Sequence, residues 1–139
     1  MALFKKAEST QAYLKAGFMG FAGSGKTYTA TETAIGLVKL LRAGGLAEAN
    51  KPVFFLDTET GSDYVAGRFK EEGIEMFQAK TRAFSDLIPA LKEAETNGAA
   101  LIIDSITHFW REFTEAYARK RNRTRGLEFQ DWAFLKSEW

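Results

Sequence analysis

The residues Gly20-Phe21-Ala22-Gly23-Ser24-Gly25-Lys26-Thr27 match the spacing G-x-x-x-x-G-K-[ST], a pattern suited to cradling phosphate groups. Glycines at positions 20, 23 and 25 let the backbone adopt positive φ and bring its N–H groups close to phosphate oxygens. A helix starting near Lys26 adds the positive end of its dipole. Lys26 supplies a mobile charge for the β- and γ-phosphates, and the Thr27 hydroxyl suits a Mg²⁺ ligand. Ser24 and Tyr28 complete the candidate nucleotide-contacting set. Average residue usage would produce the four fixed positions about once in two hundred chains of this size, so the flanks decide. An apolar run, Ala16-Gly17-Phe18-Met19, precedes the loop and a helical pattern follows it. The competing reading, a plain glycine-rich strand-to-helix turn, does not require the Lys-Thr pair. The pattern implies nucleotide binding.

Two acids lie where such a site needs them. Ala99-Ala100-Leu101-Ile102-Ile103-Asp104 is an apolar run closed by a carboxylate, as expected for the acid that holds Mg²⁺ through its water shell. Ligands of open α/β sheets bind at the strands' C-terminal ends, which is where Asp104 would stand. Helix capping is its alternative role, and Ser105 could orient the metal's water or cap the next helix. A second apolar run ends in Asp57-Thr58-Glu59. Glu59, just past its strand, suits a general base orienting water towards a γ-phosphate. Asp57 then reads as a supporting group, and both acids have an alternative role as caps of the helix near Asp63.

The elements that carry these residues alternate between strand and helix. The pattern predicts a strand over Lys15–Gly20, a helix over Lys26–Leu41 with Ala30, Ala34, Leu37, Val38 and Leu41 on one face, and a loop over Ala43–Lys51. A buried strand follows over Pro52–Asp57, then a short helix over Asp63–Glu71 stopped by Gly73, and a strand over Ile74–Ala79. Ser85 is expected to cap a helix running to Thr96, slightly kinked at Pro89 and stopped by Asn97-Gly98. The Asp104 strand, a long helix over Thr107–Arg119 and a last helix over Glu128–Trp139 complete the pattern. Such alternation predicts an α/β fold, a mostly parallel sheet with helices on both faces, in one domain spanning residues 1–139.

Composition narrows the classes. Among 139 residues the 12 Phe, 4 Tyr and 3 Trp form a heavy aromatic load, while the formal net charge is only +1. No global field therefore argues for nucleic acid or membrane. Cysteine is absent, which excludes disulfides and thiolate metal sites. The start, Met1-Ala2-Leu3-Phe4-Lys5-Lys6, lacks the apolar core of a signal peptide, and no apolar run is long enough to cross a membrane, so a cytoplasmic location is expected. The basic run Arg119-Lys120-Arg121-Asn122-Arg123-Thr124-Arg125 suits either DNA phosphates or a solvated helix C-terminus. Arg82 reads as a nucleotide or subunit contact, or as a solvated loop arginine. His108, the single histidine, reads as structural. Trp110, Trp132 and Trp139 with Phe109, Phe113, Phe129 and Phe134 suit a stacking platform for single-stranded DNA, a core or a subunit interface.

Taken together, GFAGSGKT, FLDTETG and LIIDSITHF resemble the RecA-like P-loop ATPase core. More narrowly, with His108-Phe109-Trp110-Arg111-Glu112 and Leu127 to Trp132, they are similar to phage-encoded AAA-type ATPases related to annealing and strand-exchange recombinases. The resemblance implies ATP hydrolysis with Mg²⁺ coupled to work on DNA, and a homo-oligomer when full length. It assigns phosphate and metal positions to Lys26 and Thr27, a second metal-site acid to Asp104, and the catalytic glutamate to Glu59. In that arrangement a further strand lies between the Asp104 strand and the P-loop strand, and the sequence offers none after Asp104. It therefore reads as the N-terminal part of a longer core. The other options are a strand from another chain, or direct pairing of the Asp104 and P-loop strands. A nucleotide or nucleoside kinase, with the basic run as its lid, and a non-hydrolysing nucleotide-binding module remain alternatives.

Overall fold

The computed structural model describes residues 13–139 together with Phe4 and Lys6; the reading of the chain start otherwise lies outside them. The two continuous apolar runs form neighbouring parallel strands, β1 (Val53–Asp57) and β3 (Ala100–Asp104), with β2 (Met76–Lys80) on the other side of β1. The order is β2-β1-β3, and the register sets Asp57 level with Asp104. Alternate side chains of a strand point to opposite faces, and both faces are covered. Val53, Phe55 and Ile102 meet Ala34, Ile35 and Val38 of helix α1 (Lys26–Ala43) and Val65 and Phe69 of α2 (Ser62–Glu71). Leu56, Leu101 and Ile103 meet Leu87 of α3 (Leu87–Asn97) and Phe109 of α4 (Ile106–Lys120). This is the parallel α/β sheet that the alternation predicts.

Helix ends follow local chemistry. α2 stops at Gly73, whose φ of 62° no branched residue would adopt readily. The Gly73 and Ile74 amides donate back to the Lys70 and Phe69 carbonyls, and Ile74 joins Phe69 in the core. α4 ends the same way with Asn122 at φ 53°, its amide and that of Arg123 donating to Arg119 and Ala118. α5 (Phe129–Glu138) begins in a capping box between Glu128 and Asp131. It is latched to α4 by Arg123, which bonds Asp131 at 3.0 Å and Glu128 at 2.6 Å. The Arg123 hydrogen bond holds the Asp131 carboxyl below its ordinary pKa.

Three expectations are corrected. Residues 15–20 form no strand: the sheet has three strands among the described residues, and the Asp104 strand is not paired with this segment. Two glycines in six residues weaken a strand, and Met19 is 98% exposed, with no apolar face to bury. Ser85 does not cap a helix. It lies in a 3₁₀ turn, Phe84–Asp86, whose first amide donates to the Glu112 carboxylate on α4. Consequently α3 starts at Leu87, and Pro89 falls in its first turn, where a missing N–H breaks no helical bond and no kink is required.

Phe69 is fully buried, whereas Phe129 is 96% exposed. Phe69→Ala is therefore expected to cost about 3–5 kcal/mol in urea unfolding, and Phe129→Ala less than about 0.5 kcal/mol. Comparable losses from both would contradict this placement of the core.

Candidate functional site

The site forms where three elements end together. Residues 20–25 are an exposed loop, with Gly23 and Gly25 at φ 77° and 84°, conformations that admit glycine and exclude most other residues. Gly25 opens α1 directly: its carbonyl accepts the first helical bond, from the Thr29 amide at 2.8 Å. Lys26 folds back over the loop, its Nζ donating to the carbonyls of Gly20 at 2.9 Å and Phe21 at 2.8 Å. A cavity of about 360 Å³ lies alongside, lined by Gly17, Phe18, Met19, Ser24, Lys26 and Thr29. Tyr28 stands half-exposed on the same first turn of α1.

Thr27 reaches the end of β3, where its hydroxyl donates to Asp104 Oδ2 at 2.5 Å. The helix that follows the 20–25 loop and the strand that ends in Asp104 thus meet through two hard oxygen donors. Gly61 presses against the same pair. A side chain there would place its Cβ 2.9 Å from Asp104 Oδ2 and 3.1 Å from Thr27 Cγ2, so the absence of a side chain keeps this corner open.

Asp57 organises the opposite bank. Its carboxylate, 2% exposed, accepts the Glu59, Thr60 and Gly61 amides on Oδ1 at 2.8, 2.7 and 3.3 Å. Oδ2 accepts the Ser62 amide at 2.9 Å and the Ser62 hydroxyl. Burial alone pushes this carboxyl's pKa up. The Ser62 hydroxyl and the Ser62, Glu59 and Thr60 amides together outweigh it and hold the pKa below its ordinary value. Asp57 is thus the structural anchor of the loop and the cap of α2.

Glu59 projects from this loop, half-exposed. Its Oε1 accepts the Ser105 hydroxyl at 3.2 Å and lies 3.6 Å from His108 Nδ1. Thr58 sits behind it, buried, its hydroxyl within bonding distance of the Asp104 carbonyl (3.0 Å), the Ser105 amide (2.8 Å) and His108 Nδ1 (2.6 Å). The Thr58 carbonyl accepts Arg82 Nε at 2.7 Å, so the exposed Arg82 is tied to this loop. The Asp104–Ser105 peptide between the two banks is cis.

The structure therefore brings Thr27 and Asp104 into contact and folds Lys26 over the 20–25 loop. Glu59 stands beside Ser105, the residue that follows Asp104. Ser105 makes no side-chain cap on α4 and serves Glu59 instead. Thr58 and Gly61 had no signal in the sequence beyond lying beside Asp57 and Glu59, and the Arg82 contact with Thr58 spans 24 residues. The aromatic residues pack largely on one another: Trp110 lies 5.0 Å from Trp139 and 6.4 Å from Trp132 between ring centroids, and Phe109 is core. Within the basic run, Arg123 is tied to Asp131 and Glu128, and Arg121 lies over Tyr117.

A family model described as an AAA domain matches residues 12–139, and the chain belongs to that family. Its three-strand parallel sheet flanked by helices is consistent with a P-loop NTPase-like core. Neither the curated proteins nor the solved structures gave a match. No described helix is long and apolar enough to cross a membrane.

Because the folded pKa of Asp57 lies below the unfolded one, its contribution is complete above about 3.9 and is lost as pH falls through the folded value. Asp57→Asn is expected to destabilise the protein by about 1–3 kcal/mol at neutral pH. The gap to wild type should narrow below about pH 4. Urea midpoints that show a constant gap across that range would refute the role.

Proposed function

We propose that this domain binds Mg-ATP on the phosphate loop and hydrolyses it. The observation that carries the reading is the Thr27–Asp104 contact at the mouth of the loop. One hydroxyl and one carboxylate, with phosphate oxygens and waters making up the rest, fit the few-protein-ligand coordination that Mg²⁺ prefers. Bound there, the ion would neutralise charge developing on the phosphate oxygens.

Lys26 now spends its ammonium on the loop's own carbonyls, contacts it can exchange for β- and γ-phosphate oxygens. The amides of Gly23, Ser24 and Gly25 and the α1 N-terminus add fixed positive potential. Gly20 and Tyr28 flank this cradle. Glu59 takes the proton of a water whose oxygen bonds the γ-phosphorus as the β–γ bridging bond breaks, leaving ADP and phosphate. Arg123 is committed to latching α5, which argues against the basic run serving as a kinase lid.

The finer reading is a RecA-like ATPase of phage DNA recombination or replication, supported by the resemblance of the three motifs. Single-stranded DNA as a partner is supported by the half-exposed Trp132, Trp139 and Phe134 and by Phe129. Assembly with further copies is supported by Met19 and Phe21, both more than 90% exposed beside the loop.

Saturating Mg-ATP, at about one hundred times its dissociation constant, should stabilise the fold by about 2.7 kcal/mol. Lys26→Ala should lose that shift, whereas Glu59→Gln should keep it and lose phosphate release. An unchanged shift in Lys26→Ala would overturn the binding site, and normal turnover in Glu59→Gln would overturn the base.

A further inference from the structure

His108 is the only histidine of the chain, and it meets the Glu59 loop rather than the interior of α4's packing. Its Nδ1 lies 2.6 Å from Thr58 Oγ1 and 3.6 Å from Glu59 Oε1. The side chain is 22% exposed. Ser105, on the same turn, donates its hydroxyl to that same Glu59 oxygen. The beginning of α4 therefore holds one hydrogen bond and one longer polar contact to one Glu59 carboxylate oxygen.

Thr58 decides which way the protons run. Its hydroxyl carries one hydrogen and already accepts the Ser105 amide at 2.8 Å. Directed to the Asp104 carbonyl at 3.0 Å, that hydrogen leaves Thr58 Oγ1 as an acceptor for the imidazole. Nδ1 then carries a proton donated to Thr58, and the N–H turns its positive end towards the Glu59 carboxylate 3.6 Å away. The reverse arrangement would turn a bare imidazole nitrogen towards a carboxylate, two acceptors facing each other.

We infer that His108 is a positioning residue for Glu59: with Ser105 it fixes the carboxylate beside the Asp104 end of β3 and presents it to water. The inference rests on the reading of Glu59 as the general base. An exposed glutamate on a loop otherwise samples many rotamers, and a base displaced by about 1 Å loses much of its effect. The coupling also ties the base to α4, so a change in how α4 packs reaches Glu59 through one side chain.

The test compares wild type, His108→Ala, His108→Asn, Glu59→Gln and the Glu59→Gln/His108→Ala double variant of the full chain. Turnover and KM for Mg-ATP are measured alongside the ¹⁵N signals of the single imidazole. His108→Ala is expected to lower kcat about tenfold, the lower range for loss of a supporting partner, with KM little changed. His108→Asn, which keeps an N–H donor near the position of Nδ1, should recover most of the loss. The double variant should be no slower than Glu59→Gln alone. In the nucleotide-free protein Nδ1 should give a protonated, pyrrole-type signal that moves in Glu59→Gln. This last readout needs no turnover, and His108→Asn serves if the alanine variant does not fold.

Wild-type kcat in a folded His108→Ala beside an inactive Glu59→Gln overturns this inference alone. A rise in kcat also overturns it, because the contacts would then be restraining the base. An imidazole signal indifferent to Glu59→Gln overturns it without any assay. Normal turnover in Glu59→Gln overturns the base reading itself, and this inference with it.

Discussion

A buried carboxylate at the end of the central strand holds the whole site in place. Asp57 gathers four consecutive amides and one hydroxyl onto two oxygens. An isolated charge at 2% exposure would be costly, and this one is tolerated because the loop itself supplies its solvation. The same bonds leave the 58–62 segment few alternatives. Thr58 is turned towards β3, Glu59 outwards, and Gly61 against Thr27 and Asp104. Removing the charge would release all three together.

The second constraint is register. Parallel pairing sets Asp57 opposite Asp104, so the loop after β1 and the turn after β3 emerge side by side at the strands' C-terminal edge. That edge is where open α/β sheets gather ligands. α1 completes the corner by packing Ala34, Ile35 and Val38 on the sheet while its first turn delivers Thr27 to Asp104. Core packing and site geometry are therefore not separable here. The residues that seal the sheet also set the distance between the 20–25 loop and Asp104.

How much of this was legible in the sequence depends on the range of the interaction. The candidate phosphate loop stands out in the sequence because its pattern is contiguous: glycines at fixed offsets, then lysine and threonine. β1 and β3 were readable because a strand buried on both faces is apolar throughout. The segment over residues 15–20 carried an apolar cue too weak for its two glycines. Ser85 looked like a cap, but a glutamate far along the chain, Glu112, closes that turn instead. The Thr58–His108 contact joins residues 50 apart, and no local pattern announces such a pair. The fold brings His108, which reads as structural in the sequence, and the exposed Arg82 to the loop that carries Glu59.

The central proposal is that Thr27 and Asp104 together form a cation site at the mouth of the candidate phosphate loop. Calorimetric titration of ATP with and without Mg²⁺, in wild type and Asp104→Asn, addresses this directly. Mg²⁺ should tighten ATP binding in wild type, and most of that gain should disappear in Asp104→Asn while metal-free binding persists. An equal Mg²⁺ gain in both proteins would contradict the site.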